Sequence, residues 1–369
     1  MLGISGQLGK TINMDAKLQV IANSGNRVIY LDLLRIISAF AVVMLHVSVK
    51  GHWWDSFFGT EWLIRDMYNS CVRWCVPVFV MISGALFLDK SKELNIKRLY
   101  TKNFIHILQT FILWSVIYTV VNINLYPNVH SFIYSVVSGH FHLWFLKMLL
   151  GIYIIIPILK TIVSNKQAEK YFIYVSLITC FIFPMLLFAI GFVNNDIKIL
   201  IDKWYNTMNI KIALGYSGYF VLGHYLNNYT LSTRFRNLIY LLGSLSFICV
   251  IIFTYIYSAC ILGKTSEFFM ENLTPFTLFE SLTLFLFIKQ QSNSIPTKYH
   301  SSIIHLARMS FGVYLVHPLV MFLFSKIGID SSTFHPSFFI PCFTLFVFVV
   351  SYLITRILYN IPYLNKLVK

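Results

Sequence analysis

The chain has 369 residues, 57% of them hydrophobic and 12% charged, with a mean hydropathy of +0.70. Soluble domains are about 25% charged, so the composition excludes an ordinary soluble enzyme and points to helices that span a bilayer. The net charge of +15 arises from 29 basic and 14 acidic side chains. With no nucleic-acid motif beside them, basic residues that flank apolar runs mark the cytoplasmic side of a membrane protein and its anionic lipid.

The expected fold class is all-α, a polytopic integral membrane protein with about ten transmembrane helices. Residues 1–29 are polar and mixed, lack the pattern of a cleavable signal peptide, and include an alternative start at Met14. They are expected to form a cytoplasmic segment ahead of a transmembrane domain over 30–358 and a cytoplasmic tail over 359–369. The apolar runs place spans at 30–49, 71–88, 103–121, 142–159, 171–192, 212–226, 237–258, 273–288, 303–325 and 337–355. The sixth and eighth are short for a crossing of ~20 residues.

The first span contains "LDLLRIISAFAVVMLH", in which ten residues separate Arg35 from His46. An interval of eleven positions is three helical turns with ~20° of residual rotation, so both side chains share a face, ~16 Å apart along the axis. An arginine inside a span costs roughly 2.5–3.5 kcal/mol, and such residues face protein or a water-filled cavity. Asp32, one turn before Arg35, can pair with it. The plain alternative is a snorkelling arginine with a histidine satisfied in the core.

The second span reads "RWCVPVFVMISGALFL" and opens on Arg73 and Trp74. Between it and the third lie Lys90, Lys92, Lys97, Arg98 and Lys102. With the basic residues after the fourth, sixth, eighth and tenth spans, they outnumber those in the opposite loops. Both termini are therefore expected in the cytoplasm.

The fourth span opens "HLWFLKMLLGIYIIIPIL", bringing His142, Trp144 and Lys147. The eighth holds a lone carboxylate, Glu280, and the ninth reads "SFGVYLVHPLV" with His317 before Pro318. Proline frees a backbone carbonyl one turn earlier, and His317 is placed to satisfy it. The six cysteines lie in or beside apolar runs without metal or disulfide spacing and read as packing residues. No HExxH set and no GxSxG elbow is present, so no metal site and no serine nucleophile is expected.

The four quoted stretches, in their order and spacing, resemble the membrane-bound acyltransferase 3 family, over nearly the whole chain from Tyr30. Arg35 and His46 match its most diagnostic pair. The resemblance implies an O-acyltransferase of the bacterial inner membrane that moves an acyl group, generally acetyl from acetyl-CoA, to a cell-surface carbohydrate or lipid-linked glycan. O-antigen, capsule, exopolysaccharide and common antigen are acceptors in the family. The chain resembles the short, stand-alone type that acylates enterobacterial common antigen.

On this reading His46 is the general base or a transient acyl carrier. Arg35, always protonated, serves the cofactor or the oxyanion, supported by Asp32. The family commonly has basic residues entering the third span, which nominates Arg98 for cofactor phosphates. Arg73, His142 and Trp144 are candidates for the acceptor side, where indole and imidazole can stack on and bond to a sugar; an interfacial belt would use the same residues. A competing class is a proton-coupled transporter of an envelope precursor using Arg35, His46 and Glu280 as a relay.

Overall fold

The computed structural model describes residues 27–49, 58–126, 128–329, 333–362 and 364–368. Most of the expected N-terminal segment, including Met14, lies outside these residues. Among the described residues every regular element is helical. The long elements are α1 (Ile29–Ser48), α2 (Thr60–Ser70), α3 (Cys75–Phe87), α4 (Ile105–Val121), α5 (Val129–Ser138), α6 (Trp144–Ser164), α7 (Lys166–Ser176), α8 (Phe183–Val193) and α9 (Asn195–Thr207). They continue as α10 (Ile210–Asn228), α11 (Thr233–Tyr255), α12 (Pro275–Gln291), α13 (His300–Lys326) and α14 (Pro336–Asn360).

Among the described residues eight helical stretches are long and apolar enough to cross a membrane: Ile29–Ser48, Thr60–Phe87, Ile96–Val121, Phe141–Ser164, Lys166–Val193, Thr233–Leu262, Thr297–Lys326 and Pro336–Asn360. The chain is an all-α polytopic membrane protein. The expected sixth and eighth spans are helices too, α10 and α12, but fall short of that length and apolarity. Both sit inside the bundle and turn polar residues towards neighbouring helices. Ser217 and His224 of α10 are buried, as are Thr277, Glu280 and Ser281 of α12. A helix shielded from lipid can carry such groups, so its hydropathy falls.

The peripheral helix α11 shows the opposite arrangement. Leu238, Leu241, Leu245, Ile248 and Ile252 are exposed along one face, while Ile239, Gly243, Ser246, Val250 and Thr254 are buried along the other. An apolar row outward, with small and polar residues admitted on the inner face, is the pattern of a helix bathed in lipid. At the centre, α10 crosses α3 where Gly84 and Gly223 let the backbones touch. A Cβ on Gly84 would lie 1.7 Å from the Phe220 carbonyl oxygen, and one on Gly223 would lie 2.0 Å from that of Met81.

Hydrogen bonds define the two ends of the bundle. At one end Tyr30 of α1 bonds to Asn227 of α10. Lys289 of α12 donates to the carbonyls of Leu226 (2.6 Å) and Asn227 (3.0 Å) there. At the other, Trp62 donates to Thr265 Oγ1 at 3.0 Å and Arg73 pairs with Glu267 at 2.9 Å. Three helices departed from the sequence expectations. Cys71–Trp74 form turns, so the helix of the expected second span, α3, starts at Cys75, and α2 ahead of it occupies what was expected to be a loop. Helices α5 and α9 also fall between expected spans; at 10 and 13 residues both are too short to read as crossings.

Candidate active site

Arg35 lies near the Tyr30 end of α1 and His46 near the opposite end, and each joins a different group of residues. Around Arg35 a cavity of about 480 Å³ opens at the Tyr30 end. Arg27, Arg35, Lys102 and Arg308 line its mouth, and farther along α3, α6 and α13 come Phe79, Phe145 and Tyr314. These last three pack as a ladder, Phe79 to Phe145 at 6.0 Å between ring centroids and Phe145 to Tyr314 at 5.7 Å. A cationic mouth leading to an apolar aromatic floor suits a long ligand with an anionic head and a thin, weakly polar arm.

Asp32 is buried and is held by two bonds from Arg27, at 2.9 and 2.8 Å. Its contact with Arg35 is longer, 3.4 Å. The carboxylate therefore pairs chiefly with Arg27, and the Arg35 guanidinium keeps donors directed at the cavity. Arg98 does not line the cavity. It is exposed, and its backbone N–H is capped by Asn95 at 2.8 Å. Lys102, one helical turn later on the π-helical segment Leu99–Phe104, does line the cavity. Arg27 and Arg308 were not singled out from the sequence: Arg27 lies just ahead of α1 and Arg308 within α13, and that both line one cavity needs the neighbouring helices to be read.

His46 meets three further histidines. Its ring stacks on that of His317, 5.3 Å between centroids with 20° between planes. His317 lies 5.6 Å from His142, edge to face. His142 Nδ1 is 2.9 Å from His140 Nδ1, so one of the two donates. Phe141 stands edge-on to His46 at 5.0 Å and is exposed, covering the group from outside. Among the described residues no group of three or more His, Cys, Asp or Glu is arranged to hold a metal ion.

The local chain explains this assembly. Pro318 cannot donate to the carbonyl of Tyr314, and His317 Nδ1 fills the vacancy at 2.7 Å. The next carbonyl, Leu315, accepts from the Tyr118 hydroxyl at 2.7 Å. The Tyr314 hydroxyl in turn donates to the His142 carbonyl at 2.6 Å. The proline kink thus fixes the His317 ring, and Tyr314 connects two regions: its ring floors the cavity and lies 5.4 Å from His142 and 6.2 Å from His317.

The end of α1 that carries His46 is anchored by α2. Asn69 donates to Ser48 Oγ at 2.9 Å and to the Leu45 carbonyl at 3.2 Å. Asn69 accepts from Arg73 Nε at 2.6 Å, while the other arm of Arg73 reaches Glu267. Arg73, expected on the acceptor side, is engaged in this anchor. Trp144 is half-buried against Tyr216, 5.9 Å between centroids. Lys147 donates to the Ser138 carbonyl at 2.8 Å, which meets its need for a partner. Removing the anchor is expected to act through His46: Asn69→Ala should lower kcat about tenfold with little change in donor KM, as misplacement of a reacting group does. Steady-state kinetics of CoA release would show this, and a change in KM alone would contradict it.

Residues 28–356 match the family described as the acyltransferase domain, acyltransferase 3. No curated protein and no solved structure matches the chain.

Proposed function

The chain belongs to the acyltransferase 3 family and is a membrane acyltransferase, and from that premise we propose that it transfers an acetyl group from acetyl-CoA to a hydroxyl of a cell-surface carbohydrate or lipid-linked glycan. The observation that carries this reading is the cavity: four cations at its mouth and an aromatic floor one ring away from the histidine group. Arg35, Lys102 and Arg308 take the phosphates of the donor, Asp32, itself held by Arg27, supports Arg35, and the thioester arm passes Phe79 and Phe145 towards Tyr314. His46 acts on the acyl group or on the acceptor hydroxyl. His142 and Trp144 are assigned to the acceptor side. Arg73 serves by anchoring the segment beside it. Arg98, outside the cavity wall, contributes charge to the surface that a polyanionic donor approaches.

The placement in the bacterial inner membrane follows the same logic. With the cavity mouth in the cytoplasm it faces the compartment that holds acyl-CoA, and the basic residues of that end agree with the positive-inside rule. The membership of an acyltransferase family sets the transporter reading aside. Glu280, which that reading required as a relay, is buried on α12, and neither carboxylate oxygen has a hydrogen-bond partner among the described residues.

The deciding experiment compares surface glycans by NMR in the parent strain, a deletion strain, and the deletion strain complemented with the parental gene or with His46→Gln. An O-acetyl signal that disappears on deletion and returns only with the parental gene supports the proposal and identifies the acceptor. Unchanged O-acetylation in the deletion strain overturns it. For the donor, Arg308→Gln and Lys102→Gln should each weaken acetyl-CoA binding about tenfold. Isothermal titration in detergent would measure it, and affinity unchanged from the parental protein in both variants would remove the cavity from the mechanism.

A further inference from the structure

We propose that His317 is a second catalytic residue, the base that takes the proton of the acceptor hydroxyl while His46 carries the acyl group. The inference rests on the acyltransferase reading above and divides its chemistry between two imidazoles.

The geometry separates the two rings by role. His317 is fully buried, and its Nδ1–H is committed to the Tyr314 carbonyl at 2.7 Å. That bond fixes the tautomer, because a nitrogen that donates to a carbonyl must carry the proton. Nε2 is then left as an acceptor, and among the described residues it has no hydrogen-bond partner. A buried acceptor without a partner is costly unless something visits it. A hydroxyl arriving beside the stacked His46 ring supplies that partner.

His46 differs in each respect. It is half-buried rather than enclosed and lies on the same helix face as Arg35. Its ring is partly exposed, whereas the His317 ring is confined between the Tyr314 carbonyl, His46 and His142. His142 is a weaker candidate for the base, because the proton on its Nδ1 depends on the state of His140.

The reaction balances in two steps. In the first, an imidazole nitrogen of His46 attacks the thioester carbonyl, the C–N bond forms and the C–S bond breaks. The proton lost from the acylated imidazole goes to the thiolate, which leaves as CoA. In the second, the acceptor oxygen attacks the acyl carbon, the C–O bond forms and the C–N bond breaks. The hydroxyl proton passes to His317 Nε2 and is returned to His46, restoring both residues. Phe141, exposed and edge-on to His46, stands where the acceptor enters.

The substitution His317→Asn separates the structural role from the chemical one. An asparagine amide can still donate to the Tyr314 carbonyl, but it offers no base at the position of Nε2. The test incubates purified protein in nanodiscs with acetyl-CoA labelled in the acetyl group, adds surface glycan from the deletion strain as acceptor, then follows CoA release and protein-bound label. The parental protein is expected to show a burst of CoA and a short-lived label, and His46→Gln neither. His317→Asn should form the label at the parental rate and lose it about 100-fold more slowly, the loss expected for a missing general base.

Label discharged by His317→Asn as fast as by the parental protein would overturn the proposal, as would CoA release by the parental protein without any bound label. A parental protein that releases no CoA from acetyl-CoA would overturn the donor assignment and this inference with it. His317→Gln provides the same comparison if the asparagine variant does not fold.

Discussion

Replacing His46 with glutamine is expected to lower acyl transfer about 1,000-fold while leaving acetyl-CoA binding within about twofold of the parental value. The size follows from the chemistry: a positioned base or nucleophile contributes roughly 10²–10⁴-fold, and glutamine preserves the volume of the side chain without its basicity. The selectivity follows from distance. The cations proposed to meet the phosphates line the cavity around Arg35, which lies ~16 Å along α1 from position 46. Arg35→Gln should show the reverse, with donor affinity reduced about 30-fold, since a charge-assisted bond to phosphate is worth roughly 1.5–3 kcal/mol. Its binding should also become less dependent on salt, because one phosphate contact fewer is screened. Titration calorimetry and steady-state CoA release on the same preparations separate the two effects. A His46→Gln protein that loses donor binding, or an Arg35→Gln protein that keeps it, would contradict the division of the site into a binding end and a reacting end.

That division was partly legible in the sequence. Arg35 and His46 could be placed on one helix face from their spacing alone, because helical geometry is local. The Pro318–His317 pair was legible for the same reason: a proline removes a known hydrogen bond, and the residue beside it is within reach of the freed carbonyl. The histidine group was not. His46, His140, His142 and His317 come from α1, from the turn before α6 and from α13, and no periodicity within one helix reports a meeting of three. The same limit hid the partners of Arg73. Its interfacial position suggested a role at the acceptor, whereas Asn69 and Glu267 engage it from α2 and from a segment 194 residues away.

Hydropathy located the lipid-facing helices well and the inner ones less well. A helix such as α11 must be apolar where lipid touches it, so its sequence announces it. Helices α10 and α12 meet mostly protein, which relaxes the requirement and admits His224 and Glu280. The buried pair of His224 Nδ1 and Glu169 Oε1, 2.6 Å apart, joins α10 to α7 and could not be anticipated from either helix alone. The polar content that weakened the sixth and eighth apolar runs thus reports their internal position.

The crossing of α3 and α10 leads to the largest structural prediction, in which one exchange, glycine to alanine, has opposite signs at two positions. At Gly84 the added methyl would stand 1.7 Å from the Phe220 carbonyl oxygen, well inside contact distance. The atom it meets is backbone, so no side-chain rotation relieves the clash and the helices must separate. Gly223 faces the Met81 carbonyl from the other side of the same crossing, and parting one contact parts both. Overpacking of this kind costs about 3 kcal/mol, and because α3 lines the donor cavity through Phe79 and Ser83, separation also widens the site. At Gly151, in the middle of α6, no heavy atom lies within 4 Å of the added methyl. Alanine there adds no clash and removes the entropic cost of a mid-helix glycine, a gain of roughly 0.5–1 kcal/mol. Gly84→Ala should therefore lower the apparent Tm of the detergent-solubilised protein and its acetyl-CoA affinity together, while Gly151→Ala raises the Tm and leaves affinity unchanged. Thermal unfolding followed by size-exclusion chromatography reads both. Equal Tm shifts at the two positions would mean that the α3–α10 crossing is looser than the structure shows, and the cavity wall that depends on it would have to be redrawn.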